Sequence, residues 1–283
     1  MKKTGNHFIP WADRLLPTTT VHQWRLQIFQ PTKHPVFCTK ELFKPGTQEV
    51  IGTIEGKLGV THSLFLESVC FRAERTKVLE GGSLAVLVDP YKIRTTMSKA
   101  GGGYSGGGID TLVKDLKKAV VHFTDSDVGG LSDIDGILER IERSPKTRVN
   151  PLGTEARSLK RVILSPTYRS WLEHDLGLHY DPTPLADLRH GLTAAVARLV
   201  LTHRDQPVGG WKLDRLIRSV GADPTRRNRQ LVRQDNEGLA RVGLVIEEDR
   251  MRKMGGVPAT PGSVPATPAP YPLRQGAYPL RQV

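Results

Sequence analysis

The residues best equipped to do chemistry in this chain are basic. Between Trp211 and Arg233 lie Lys212, Arg215, Arg218, Arg226, Arg227, Arg229 and Arg233, against only two carboxylates, Asp214 and Asp223. Guanidinium groups bond phosphate oxygens through charge-assisted hydrogen bonds and guanine through a bidentate fork, and glutamine can pair adenine in the same way. A helix over residues 224–240, at about 100° per residue, sets Arg226, Arg229, Gln230, Arg233 and Glu237 on one side. Asn228, Leu231, Val232, Asp235 and Leu239 then fall on the other side, which is the one to be buried. No acid precedes Glu237 on the charged side, whereas an ordinary solvated face mixes signs four residues apart. The spacing therefore predicts a DNA-contacting surface of Arg226, Arg227, Asn228, Arg229, Gln230 and Arg233, with Lys212 beside it. The alternative is a solvated arginine face with no ligand. Lys114, Lys117 and Lys118, on the polar faces of a second amphipathic helix, are candidates for phosphate contact, although lysines so placed also serve plain solubility.

Other chemistries find little support. Gly101, Gly103 and Gly106 match GxGxxG, but a helix, not a strand, is expected before them, so a turn between two helices explains them better than a dinucleotide site. There is no GxxxxGK[ST] loop and no serine in a nucleophile elbow. His174 and His179 are five apart, which is wrong for one helical face, and no carboxylate pair stands out as acid and base. Cys38 and Cys70 fit no zinc spacing and no disulfide framework. The expectation is a protein without catalytic residues, metal or cofactor.

The elements that must position the basic helix can be read from apolar spacing. With 283 residues, a net charge of +12 and a pI near 9.8, the chain is long enough for two modest domains and basic enough to favour a polyanionic partner. Aromatic residues are sparse at 6%, so the cores should be aliphatic. No apolar run nears the roughly 20 residues of a membrane span, and no secretory leader follows Lys2 and Lys3, so a cytoplasmic location without membrane contact is expected. Prolines at 10, 17, 31, 35 and 45 make residues 1–46 an irregular arm. Residues 47–175 form a first unit: a helix over 62–72, a strand at 84–88, a helix begun by Asp89-Pro90, the amphipathic helix with Ile109, Leu112, Val113, Leu116 and Val120, a helix with Ile134, Ile137, Leu138 and Ile141, and strands at 120–123 and 158–164. Residues 176–254 form a second unit: a helix with Leu192, Val196, Leu199 and Val200, a second with Leu213, Leu216, Ile217 and Val220 ended by Gly221, the basic helix started by Asp223-Pro224, and a strand–turn–strand over 242–254. Residues 255–283 repeat VPATP and YPLRQ, each at a spacing of seven, and read as a disordered proline-rich tail.

Two helices joined by a short glycine turn, the second rich in arginine and followed by a hairpin, are the winged helix-turn-helix pattern. Residues 192–248, LTAAVARLVLTHRDQPVGGWKLDRLIRSVGADPTRRNRQLVRQDNEGLARVGLVIEE, resemble the C-terminal winged-helix domain of the RepC- and TrfA-like plasmid replication initiators. Residues 90–123 and 161–175 resemble that family's N-terminal winged helix, so the likeness covers roughly 60–250. The resemblance implies an α+β, mainly helical chain with two tandem winged-helix domains. It implies binding to repeated origin sequences (iterons) in double-stranded DNA and a homodimer in the inactive form. It also implies origin opening with host replication proteins. A winged-helix transcriptional repressor, a metal-dependent nickase and a scaffold built around the proline tail are the rival expectations.

Overall fold

The computed structural model describes residues 16–43, 47, 49–98, 105–123, 134–149, 156–174 and 177–254. In chain order it begins with β1 (Thr19–Thr20), α1 (Val21–Arg25), β2 (Cys38–Phe43), β3 (Val50–Gly56), α2 (Val60–Phe71), β4 (Arg75–Val78) and β5 (Leu84–Val88). There follow α3 (Pro90–Thr96), α4 (Gly106–Lys118), β6 (Val120–Phe123), β7 (Ile134–Asp135), β8 (Leu138–Val149), β9 (Ala156–Leu164) and α5 (Pro166–His174). The chain continues through β10 (Gly177–Leu178), α6 (Thr183–Ala186), α7 (Gly191–Leu201), β11 (Trp211–Lys212) and α8 (Leu213–Ser219). It closes with α9 (Arg226–Gln234), α10 (Asn236–Arg241), β12 (Leu244–Glu247) and β13 (Arg250–Lys253). The proline-rich tail and Gly101 and Gly103 of the glycine loop lie outside the described residues.

The expected mainly helical chain of two tandem winged-helix domains is overturned. The fold is mixed α/β, with four sheets in strand orders β2-β3-β6-β7, β4-β5-β9-β8, β11-β13-β12 and β1-β10. One cause is local. Ile134, Ile137, Leu138 and Ile141 carry a helical spacing, yet Leu138 and Ile141 lie in β8. Opposite them, Leu138 faces Leu164, Arg140 faces Ile163 and Ile141 faces Val162, so the register skips one residue. That bulge puts positions three apart on the same sheet face and imitates a helical turn.

The second cause is the N-terminal segment. Its described part is not an irregular arm. Leu16, Val21, Trp24, Leu26, Ile28 and Phe29 are buried, and β2 pairs with β3 from Cys38–Gly56 to Leu42–Gly52 across the expected boundary at 46. Prolines 31 and 35 interrupt regular structure only around themselves, while the buried side chains of Trp24, Leu26, Ile28 and Phe29 hold the segment down.

Many local readings stand. Helices α2, α4, α7 and α8 and strands β5, β6 and β9 fall where apolar periodicity places them. Asp89 caps α3 by accepting the amide of Tyr91 at 3.0 Å. The buried apolar residues of both expected units join in one cluster that also takes in the N-terminal segment. Strand β1 pairs with β10, and the Thr19 hydroxyl and the Tyr168 hydroxyl hold the two ends of the Gln23 amide at 2.9 and 2.6 Å. Across the same seam, Glu67 of α2 meets Arg198 of α7 in a bidentate pair at 2.7 and 2.8 Å. Both side chains are only 1% exposed.

Candidate nucleic-acid interface

Helix α9 stands on a small scaffold formed by α7, α8, α10 and the sheet β11-β13-β12. Leu192, Val196, Leu199 and Val200 of α7 and Leu213, Leu216 and Ile217 of α8 are buried and fill its core. Helix α8 ends at Gly221, whose φ of +80° admits glycine at little cost. The amides of Gly221 and Ala222 return to the carbonyls of Arg218 and Ile217 at 2.9 and 3.1 Å, which closes the turn into α9. The β12–β13 hairpin turns at Glu248 and Asp249 and places Lys212 of β11 opposite Arg250. Gly210 enters that sheet with φ +79°, and a Cβ there would sit 2.5 Å from the Met251 carbonyl oxygen.

The N-cap of α9 is Thr225, not Asp223. Its hydroxyl accepts the Asn228 amide at 3.1 Å. The Asn228 side chain donates to the Asp223 carbonyl at 2.8 Å, so it braces the turn and is not free to meet a base. The helix is also shorter than the sequence suggests, because the chain bends at Asp235. That carboxylate is buried and accepts the amides of Arg189 and His190 at 3.0 and 2.9 Å, capping α7 from outside. Val232 and Leu239, both 0% exposed, anchor the segment. Leu231, expected beneath it, is only half-buried.

Arg226, Arg227, Gln230 and Arg233 are exposed. At 100° per residue, Arg226, Gln230 and Arg233 fall within about 60° of one another, with Arg227 at their edge. Arg226, Arg227 and Gln230 have no ion pair or side-chain hydrogen bond among the described residues. The other two arginines are partnered by neighbouring elements. Arg229 grips Asp214 of α8 at 2.6 and 2.8 Å, and this hydrogen bond holds the Asp214 carboxyl below the usual carboxylate range. Arg233 pairs with Asp249 in the hairpin turn. Neither is covered: the Arg229 and Arg233 side chains keep 35% and 44% of their exposure. The acids absent from α9's own sequence thus come from either side of it.

The contact face drawn from α9 spacing leaves out Arg215 and Arg218, although the basic run contains both, and leaves out Arg25 altogether. Arg215 and Arg218 of α8 are exposed and, with Arg25, line a cavity of about 600 Å³ with Trp211 and Phe43 on its walls. Arg25 is held there by the Thr202 carbonyl at 2.9 Å, and it comes from the segment read as an arm. Among the described residues no carboxylate lines this cavity. Lys114, Lys117 and Lys118 are exposed but are not brought to α9. Helix α4 packs against α2, β3 and β8, whereas α9 packs against α7, α8 and α10. Among the described residues no three of His, Cys, Asp and Glu gather to hold a metal ion. No described helix is long and apolar enough to cross a membrane. Cys70 is buried, which pushes its thiol up to about 12.

No family model, curated protein or solved structure matches the chain.

Proposed function

We propose that this chain binds double-stranded DNA through α9 and serves as a plasmid replication initiator acting on repeated origin sequences with host factors. The observation that carries the reading is the unneutralised, exposed set Arg226, Arg227 and Gln230 at the N-terminal half of α9. No acid lies in that helix's first turn. Cations there oppose the helix dipole, whose positive end is at the N-terminus, so the arrangement has a cost in the free protein. A phosphate removes that cost, because it satisfies the dipole and the guanidinium groups together. Arg215 and Arg218 extend the same charge along α8 and Lys212 adds to it from β11, giving sites for further phosphates, while Gln230 can read an adenine edge.

The test is a mobility-shift titration over a range of salt. Arg226→Ala/Arg227→Ala should lower the slope of log K against log salt by about 2, at about 0.9 per phosphate contact. Gln230→Ala should relax discrimination at one base pair by about 1–3 kcal/mol. Unchanged affinity and slope in both variants would sink the reading. The initiator role has its own readout. A plasmid carrying the candidate repeats should replicate only when this protein is supplied, and repeat binding without replication would favour a repressor.

A further inference from the structure

The ribbon formed by β8 and β9 concentrates charge of one sign to a degree that its own stability does not favour. It carries seven Lys and Arg residues against Glu139 and Glu142. Register sets Arg143 opposite Lys160 and Arg148 opposite Arg157, and like charges facing each other across strands are destabilising. Arg148 and Arg157 are drawn off by acids on other elements. Arg148 reaches Glu74 at 2.7 Å, and Arg157 forks onto Asp89 at 2.7–3.1 Å. Arg143 and Lys160 have no ion pair among the described residues, and Arg143 donates only to the Ser158 hydroxyl at 2.9 Å.

The ribbon also runs past its sheet. β5 pairs with β9 from Leu164 to Lys160, whereas residues 147–149 and 156–158 pair only with each other among the described residues. Between Arg143 and Thr147 the register skips, and the Ser144 hydroxyl accepts the Lys146 amide at 3.1 Å. This bulge leaves Pro145, Lys146 and Thr147 exposed. Beside it lies a cavity of about 690 Å³ lined by Arg75, Lys92, Lys146 and Arg148 over Leu87 and Leu159. Glu74 is the one carboxylate among its described lining residues, and it is already shared between Lys92 at 3.3 Å and Arg148 at 2.7 Å. Arg75 and Lys146 have no ion pair among the described residues.

We infer that this ribbon is a second DNA-contacting element, which takes duplex phosphates in the cavity at Arg75, Lys92, Lys146 and Arg148 and, on its other face, at Arg143 and Lys160. The inference rests on the reading of this chain as a DNA-binding protein and extends it to a surface distinct from α9. Register puts Arg148 and Arg157 on the sheet face of Leu87, and Arg143 and Lys160 on the face of Val88. A two-stranded ribbon fits the major groove of B-DNA. One with cations on both faces can meet phosphates on both groove walls. The duplex then supplies the negative charge that the Arg143–Lys160 cross-strand pair lacks.

The experiment uses the full chain and a random-sequence DNA duplex titrated at several salt concentrations. Arg75→Ala/Arg143→Ala/Lys146→Ala should lower the salt slope by about 2.7, at about 0.9 per phosphate. Its melting temperature should not fall, because none of the three side chains makes an ion pair among the described residues. If the triple variant melts early, Lys146→Glu alone carries the test at an exposed bulge position, with a slope loss of about 1. Arg226→Ala/Arg227→Ala is measured alongside. A ribbon variant that keeps the parent slope while the α9 variant loses its own overturns the ribbon and leaves α9 standing. The opposite pattern overturns α9 as the reader and supports the ribbon. A parent chain that binds no duplex overturns both.

Discussion

Replacing Glu67 with glutamine should strongly destabilise the fold, because it strands a buried cation. The Glu67 carboxylate receives both Arg198 donors, at 2.7 and 2.8 Å, and the Ser63 hydroxyl at 2.8 Å. The Arg198 guanidinium also donates to the Ala194 carbonyl at 3.2 Å and lies 5.3 Å from the centre of the Trp24 ring. Neither side chain can turn to water without opening the seam between α2 and α7, since each is 1% exposed. The Glu67→Gln substitution keeps the size of the side chain but removes its charge. Breaking one side of such a pair costs about 3–5 kcal/mol. At about 2–4 °C per kcal/mol for a chain of this order of size, Tm should fall by about 6–20 °C. Calorimetry at neutral pH measures it. Glu67→Leu/Arg198→Met should recover most of the loss, because an apolar pair of similar volume needs no desolvation of charge. A Glu67→Gln protein melting within about 1 °C of the parent would show that the pair is not closed in the folded chain and would refute the expected cost.

Two further predictions concern caps and protons. Asp235→Ala should cost about 1–2 kcal/mol in urea unfolding, since it leaves the Arg189 and His190 amides at the start of α7 without their acceptor. Asp235→Asn should restore part of that, and equal stability of both variants with the parent would refute the cap. His62 and His203 both have pKa values lowered from 6.5, in each case first by burial. For His62 the hydrogen bond to Asp115 acts in the opposite direction without reversing the shift. These rings bind protons more weakly folded than unfolded, so their contribution is complete above pH 6.5 and is lost as pH falls below it. Tm should therefore drop between about pH 7 and about pH 5.5, and a flat profile would contradict the burial of these rings.

Segments whose partners lie nearby in the chain were legible from the residues alone. The stripe Leu213, Leu216, Ile217 and Val220 specifies α8 because a helix's hydrogen bonds and its buried face arise within four residues of sequence. The stop at Gly221 and the cap at Asp89 are equally local. The exposure of Arg226, Arg227 and Gln230 could be read because Val232 must face inward. What tertiary structure decided involves partners far apart in sequence. The pairing of β8 with β9 and its bulge, which disguise Leu138 and Ile141 as a helix, depend on a strand about twenty residues away. The burial of Trp24, Leu26, Ile28 and Phe29 depends on a core drawn from both halves of the chain. Asp214 and Asp249 reach Arg229 and Arg233 from neighbouring elements, so a face with no acid in its own sequence carries two ion pairs in the fold. Spacing along a chain encodes the direction of a side chain about its own axis. It does not encode which distant group that side chain meets, and here those meetings set which arginines stay free for a ligand.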